Sequence, residues 1–354
     1  MAPFLLHYLS PRPHHRKVLM WLGAVVVVVS SLAAAFSKTP LQIIITQGLL
    51  YGIGGGLLFA PSVSFVDEWF VSRRGLANGI FFGSNNISAA ALSPIFSFFL
   101  NRYGPRLTLL LWSLTSGILI SICMFCVHPR RAKLDYEEDA CKVRLKSLRK
   151  PLFLLFALSM MFQGLSNFLP SAYLPSYASD FGIPARKGAL LITTMSLSGV
   201  IGQPLLGLLT DSIGPLVPLL LSTLVSGFSI IIIWGFGRVY WTMVIQAILF
   251  GAFSFSFIVL RSHMAAAVVD DASKLKEQLF VSGALMATRG LACIVSGYLG
   301  AAVVASGEST GPQPSYGGGK WRGLIIYLAV LMLGASVGGL GLRRKDRGFG
   351  QLKE

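Results

Sequence analysis

Residues 75 to 100 contain no Asp, Glu, Lys or Arg, and residues 41 to 66 contain none either. Each run exceeds the roughly 20 residues with which a helix crosses about 30 Å of bilayer hydrocarbon. Lipid offers a backbone no hydrogen-bond partners, so runs of this kind are confined to helices whose bonds are internal. The charged stretch between them, Asp67-Glu68-Trp69-Phe70-Val71-Ser72-Arg73-Arg74, reads as a short cytoplasmic hinge. Further apolar runs of spanning length fall at about 18 to 36, 106 to 127, 152 to 178, 188 to 210, 216 to 236, 240 to 268, 277 to 305 and 321 to 342. Pro, Gly or charge marks their ends, as at Lys38-Thr39-Pro40, Gly104-Pro105, Gly214-Pro215 and Asp270-Asp271. The expected fold is an all-α polytopic membrane protein with about ten transmembrane helices.

Composition excludes other classes. Hydrophobic residues make up 54% and charged residues 12%, and the mean hydropathy of +0.68 lies outside the range of soluble domains. The net charge of +16 does not imply nucleic acid, because the basic residues stand between apolar runs and no nucleic-acid motif accompanies them. Four cysteines make no disulfide framework. Cys123 and Cys126 lie in an apolar run without histidines at ligand spacing, and both read as packed thiols. No metal and no cofactor is expected. Residues 1 to 17 lack the apolar core of a cleavable signal peptide, holding only Phe4-Leu5-Leu6 before a basic cluster.

Lys and Arg set the orientation. With the loop from Arg12 to Lys17 placed in the cytoplasm, that side collects 21 of them and the opposite side 8, while Arg289 falls inside a run. Both termini and the basic loop are therefore expected in the cytoplasm. That loop also separates two halves: residues 1–127, a basic loop at 128–151, residues 152–342, and a tail at 343–354. Phe4-Leu5-Leu6-His7-Tyr8-Leu9-Ser10 overlays Pro204-Leu205-Leu206-Gly207-Leu208-Leu209-Thr210 at an offset of 200 residues. On this repeat the second half has six helices and the first has four and a stub, as if one helix and most of another were missing before Met1.

The stretch Phe70-x-x-Arg73-Arg74-x-Leu76-Ala77-Asn78-Gly79 resembles the signature entering the fifth helix of monocarboxylate-porter-like members of the major facilitator superfamily, with the fungal branch nearest. Tyr173-Leu174-Pro175-Ser176-Tyr177-Ala178 followed by Gly182 resembles the end of their seventh helix. Gly207-x-x-x-Asp211-x-x-Gly214 resembles the superfamily's loop between helices eight and nine. The resemblance implies a bundle of two helical halves that moves a small solute by alternating access. There are departures. Where the first half should repeat the Gly, Asp and Gly of that loop, it has His7, Pro11 and His14, and Phe81-Phe82 stand where the family has small residues. Lactate-carrying animal members hold an Asp and an Arg four residues apart before a proline, and here Gly199 and Gln203 precede Pro204. Proton–lactate symport therefore does not carry over.

Several residues stand out on their own chemistry. Arg289 lies near the middle of an apolar run, where a lone Arg costs about 2.5–3.5 kcal/mol on insertion scales, so it must face protein, and an anionic ligand is an attractive partner. Arg bonded to helix carbonyls is the structural alternative. Gln163, Asn167, Pro170 and Tyr173 share one helix face, a polar stripe that either lines a cavity or bonds neighbouring helices. Pro170 and Pro175 should break that helix. Gln47, Asn86, Gln203 and Gln246 are further intramembrane polar groups and candidate substrate contacts. Gly48, Gly52 and Gly56, like Gly75, Gly79 and Gly83, recur every four residues, a spacing that lets helix backbones approach closely. At the cytoplasmic ends Asp67, Glu68, Arg73, Arg74, Asp211, Arg261 and Asp270 are candidate gate residues. Asp67, Glu68, Arg73 and Arg74 of the first half are expected to form ion pairs with Arg261, Asp270, Asp271 and Lys274 of the second, the alternative being solvated topogenic charge.

The reading is a transporter of a small organic solute, a monocarboxylate-like anion, driven by a proton or solute gradient and located in the plasma membrane. No G-x-x-x-x-G-K-[ST] loop is present to bind ATP. Its partners are the solute, a proton as candidate co-substrate, and the lipid bilayer. Export of a small, secondary metabolite and a shortened, receptor-like relative remain as alternatives. An enzyme is the weakest reading, because no paired carboxylates or nucleophile–base set converge.

Overall fold

The structure, a computed structural model, describes residues 13–70, 73–127, 145–269, 275–307 and 316–342. The stub at 4–10, most of the basic loop, Asp270, Asp271, Lys274 and the tail lie outside the described residues. The described chain is helical: α1 Pro13–Ala35, α2 Pro40–Trp69, α3 74–103 and α4 105–126, α5 Pro151–Asp180, α6 Ala185–Ile213, α7 Leu216–Trp234 and α8 Tyr240–Val269, α9 Leu275–Gly307, and α10 Arg322–Leu342. Nine stretches among the described residues are long and apolar enough to cross a membrane. The protein has the expected all-α polytopic membrane fold.

Turn chemistry sets the boundaries. Thr39 caps α2 by accepting from the Gln42 amide, Gln42 reaches back to the Thr39 amide, and Pro40 occupies the first turn, where no N–H is needed. Gly104 (φ 76°, ψ 173°) and Gly214 (φ 86°, ψ 172°) end their helices in a positive-φ, extended conformation open to glycine, each directly before a proline, which disfavours helical backbone at the residue preceding it. In α5 the break comes at Phe168: the first piece stops at Asn167 and the second starts at Leu169 with Pro170 in its first turn. Pro170 cannot donate to the preceding turn, which is why the sequence-expected break falls there.

By contacts the chain divides into two compact units, residues 1–71 with 91–143, and residues 72–90 with 144–354. In the first, α1 and α2 meet backbone to backbone: a Cβ on Gly23 would lie 2.8 Å from the Gly54 carbonyl oxygen. Met20, Phe65 and Met124 fill its small core. Buried Arg16 of α1 forms an ion pair with buried Glu68 of α2. Two expectations fail here. A Cβ on Gly52 or Gly56 would meet nothing within 4 Å, and on Gly48 would touch only the helix's own Ile44; α1 is approached through Gly54 instead. Cys123 and Cys126 are exposed rather than packed, because an apolar run does not tell which of its faces turns toward protein.

In the second unit, α5 to α10 surround two apolar clusters. One is built around Tyr177, Trp234, Phe250, Leu191, Met195 and Leu328, the other around Phe156, Met160, Leu219, Phe257 and Leu285. Tyr177 donates to the carbonyl oxygen of Gly237 at 2.8 Å, tying α5 to the turn before α8. Tyr316, in the turn before α10, donates to the Ile231 carbonyl oxygen at 2.7 Å, and burial pushes its phenol above the ordinary 10.0. The opening of α3 packs on α6 through glycines: a Cβ on Gly75, Gly79 or Gly207 would fall under 3.0 Å from the facing backbone.

Candidate functional site

Halfway along α5, α8 and α9, in the second unit, four polar side chains form one chain of hydrogen bonds. Gln163 is fully buried and Asn167 is 2% exposed. The Arg289 Nε donates to Gln163 Oε1 at 2.8 Å. Gln163 Nε2 donates to Asn167 Oδ1 at 2.7 Å and to the Ser254 carbonyl oxygen at 3.1 Å. Ser254 Oγ donates to the same Asn167 oxygen at 3.1 Å. The guanidinium also lies over the ring of Phe168, at 5.7 Å from its centroid.

This spot is positioned by the helix break and by a glycine. Gly164 lets α9 close in, since a Cβ there would lie 2.8 Å from the Arg289 carbonyl oxygen. Phe168, the residue at the break, keeps half its surface exposed. Among the described residues the hydrogen bonds of Arg289 go through Nε, and its two terminal nitrogens have no hydrogen-bond or ion-pair partner. The described carboxylates, Asp67, Glu68, Asp180, Asp211 and Glu277, all stand in the first or last turn of their helices, away from this depth.

The other candidates sit elsewhere. Gln203 of α6 is buried and donates to the Phe255 carbonyl oxygen at 2.9 Å, while its own carbonyl oxygen has no partner. Asn86 of α3 packs its amide nitrogen over Gly199 and leaves it unbonded. Gln246 is fully buried with both amide atoms unbonded. Tyr173 is half-buried against Trp321, ring centroids 5.9 Å apart. Gln47 is exposed in the π-helical turn Ile44–Leu50 of the first unit. The geometry thus joins Arg289, Gln163 and Asn167, and does not bring Gln203, Asn86, Gln246, Tyr173 or Gln47 into the same network.

A second polar layer closes one end of this unit. Asp211, in the last turn of α6, accepts from the backbone N–H groups of Gly75 and Leu76, each at 2.8 Å. Those are two of the amides that the first turn of a helix leaves without partners, and a carboxylate there also meets the positive end of the helix dipole. His263 Nε2 lies 3.3 Å from Asp211 Oδ1. Arg74 donates to Gln278 Oε1 at 3.0 Å, and Arg261 Nη2 to Asn78 Oδ1 at 3.5 Å. Ser147 donates to Glu277 at 2.5 Å, and Lys150 Nζ to the Val268 carbonyl oxygen at 2.6 Å. Of the remaining gate candidates, Asp67 and Glu68 end α2 in the first unit, with Glu68 bonded to Arg16, and Arg73 is exposed. Asp270 lies outside the described residues. The sequence reading missed Ser254 as the partner of Asn167, Phe168 beneath Arg289, and His263 beside Asp211. Asn78 was visible inside the Arg73 to Gly79 stretch, four residues after Arg74, yet nothing local pointed to Arg261.

A helical membrane protein with an arginine at mid-depth and a carboxylate clasp at one end is the class that fold and site define. The Major Facilitator Superfamily sequence profile matches residues 1–260 and 156–351, and the chain belongs to that superfamily, a non-catalytic transport family. It is 25% identical over 325 residues to the MFS-type transporter pynF of Aspergillus niger, covering 89% of this chain and 69% of the relative. Monocarboxylate transporter 13 of Rattus norvegicus is 28% identical over 247 residues, 69% of this chain and 56% of the relative. Monocarboxylate transporter 4 of Mus musculus is 27% identical over 202 residues, 54% and 42% respectively. Against the two monocarboxylate transporters the matched stretch thus spans about half the length of the relative.

Proposed function

We propose that this protein moves a small organic anion of the monocarboxylate type across a membrane by alternating access, and that Arg289 receives the anionic group. The observation that carries the reading is the state of that arginine: charged, at mid-span, with both terminal nitrogens free of partners among the described residues. A cation so placed is costly in lipid, and intramembrane charges of this kind line substrate or ion pathways. A bound carboxylate supplies charge-assisted, bidentate hydrogen bonds that match the planar fork. Similarity to monocarboxylate transporters supports the substrate class. A proton or solute gradient supplies the energy.

The same reading takes residues 1–127 and 152–342 as the two moving halves, and the layer around Asp211, Arg74 and Arg261 as part of a cytoplasmic closure. The Lys and Arg asymmetry supports cytoplasmic termini, and the reading takes the plasma membrane as the site of action. Single cysteines introduced at Ala132 and Ser309 test the orientation in intact cells: an impermeant reagent should label the second and not the first, and the reverse would overturn it. Function is tested with the full-length chain in vesicles, measuring uptake and efflux of pyruvate and benzoate against glycerol. Arg289→Lys should reduce carboxylate transport at least tenfold with normal surface expression. Unchanged carboxylate affinity in that variant, or preference for the neutral solute, would reject the assignment.

A further inference from the structure

The neighbour of Arg289 on α5 is an amide, and its orientation is not free. The Ser254 backbone carbonyl can only accept, so the end of Gln163 that faces it at 3.1 Å must be the NH2 group. That turns the Gln163 carbonyl oxygen toward Arg289 Nε. Asn167 locks the arrangement by accepting from both Gln163 and Ser254. The network therefore presents a neutral acceptor to the guanidinium and consumes the edge that contains Nε. Phe168 lies against one face of the group. What remains is the end-on edge, where one N–H of each terminal nitrogen points outward in parallel, the geometry that meets a two-oxygen anion.

We propose that Gln163 is the residue that sets the charge selectivity of this site. It fixes the arginine without neutralising it, and so leaves one full positive charge for the solute. This rests on the reading of Arg289 as the anion-binding group. A carboxylate at position 163 would fit the same space and accept the same bond, but it would pair with Arg289 internally and compete with any anionic ligand. A neutral acceptor in that place is what separates a site that binds an anion alone from one that binds an anion together with a proton.

The consequence can be measured. In Gln163→Glu an incoming carboxylate raises the proton affinity of Glu at 163, because two like charges then face one arginine. Anion binding and proton uptake become linked, and by reciprocity lower pH tightens the anion. The titratable groups bonded to this turn of α5 are Arg289, through Gln163, and Cys293, whose thiol lies 3.5 Å from the Gly164 carbonyl oxygen. α8 contributes the uncharged Ser254, and α10 the Leu328 carbonyl oxygen that accepts from Ser166.

The experiment is equilibrium binding of pyruvate, an anion throughout the range, to the full-length chain in nanodiscs between pH 5.5 and 7.5. The chain is prepared with Gln at 163 and as Gln163→Glu, Gln163→Met and Arg289→Lys. The unsubstituted protein should show less than a twofold change of affinity across the range. Gln163→Glu should bind at least tenfold more weakly at pH 7.5 and recover by up to tenfold per unit as pH falls. Gln163→Met should be weaker by severalfold with no pH dependence, as loss of a positioning bond alone predicts. If Arg289→Lys weakens binding while Gln163→Glu stays as tight and as pH-independent as the unsubstituted protein, this inference fails and the arginine reading stands. If the unsubstituted protein does not bind pyruvate, or Arg289→Lys binds it equally well, both fail. Should Gln163→Glu not reach the membrane, Gln163→Met decides, and an affinity equal to that with Gln overturns the proposal.

Discussion

Gly75, Gly79 and Gly83 on α3 and Gly48, Gly52 and Gly56 on α2 repeat at the same four-residue spacing, yet the two sets have different surroundings. On α3, Gly75 and Gly79 lie so close to the backbone of α6 that a Cβ would come under 3.0 Å from Gly207 or Gln203, and on Gly83 it would sit 3.4 Å from the Val200 carbonyl oxygen. On α2, a Cβ at 52 or 56 would stand in open space. The difference comes from the partner. α6 brings Gly207 to the crossing and fixes the approach with Asp211, whose carboxylate holds the first amides of α3. α1 meets α2 through Gly23 and Gly54, on another face. A small-residue repeat permits close approach in lipid, where packing rather than water drives association; a complementary surface is what uses it.

Substitutions at these positions separate the two stripes. The largest effect is expected for Gly75→Leu and Gly207→Leu, where the side chain meets backbone that cannot yield. Overpacking typically costs ~1–3 kcal/mol, and at a backbone crossing the expected outcome is loss of folded protein on size-exclusion chromatography. A monodisperse, thermally unaltered Gly75→Leu would show that the α3–α6 contact is dispensable.

Next comes Asp211→Asn, which removes the charge and turns one of the two acceptor oxygens into an NH2 group that cannot accept from the Gly75 or Leu76 amide facing it. Capping and dipole terms together suggest a loss of about 1–2 kcal/mol, read as a lower thermal midpoint in detergent. No shift would mean that the glycines alone hold the crossing. Gly54→Ala should cost about 1–2 kcal/mol, because the added Cβ would stand 2.9 Å from the Gly23 carbonyl oxygen and the Val27 amide nitrogen, backbone of α1 that cannot move aside, as well as from the Val27 side chain.

The smallest effect, and one of opposite sign, is expected for Gly52→Ala and Gly56→Ala. With no neighbour to displace, alanine should leave the thermal midpoint unchanged or raise it, by up to about 1 kcal/mol of helix propensity. A clear destabilisation would show that this face of α2 is packed after all.

The same contrast governs how much of the site could be read in advance. Arg289 was legible because a charge inside an apolar run is expensive, whatever the fold around it. The pairing of Gln163 with Asn167 was legible from their four-residue spacing on one helix. Ser254 lies 87 residues away in sequence from Asn167, and no local pattern announces which hydroxyl of α8 turns inward. Phe168 is one apolar residue among many until the break at Pro170 exposes it. Among the end charges, Asp211 accepts from the amides of Gly75 and Leu76 and lies 3.3 Å from His263 Nε2, Arg74 donates to Gln278, and Arg261 donates to Asn78. Formal charge marks a residue for attention and does not choose between an ion and a neutral dipole as its partner.

Hydrophobic run length and punctuation by Gly and Pro determined the helices and their ends, because a bilayer leaves the backbone no other choice and positive-φ glycines before prolines stop a helix locally. Which face of each helix meets another, why Gly54 rather than Gly52 carries the α1–α2 contact, and how a buried amide is turned so that it holds an arginine without neutralising it were decided by tertiary structure alone. Those outcomes depend on shape complementarity and hydrogen-bond direction between segments distant in the chain, and neither quantity is a property of any one segment.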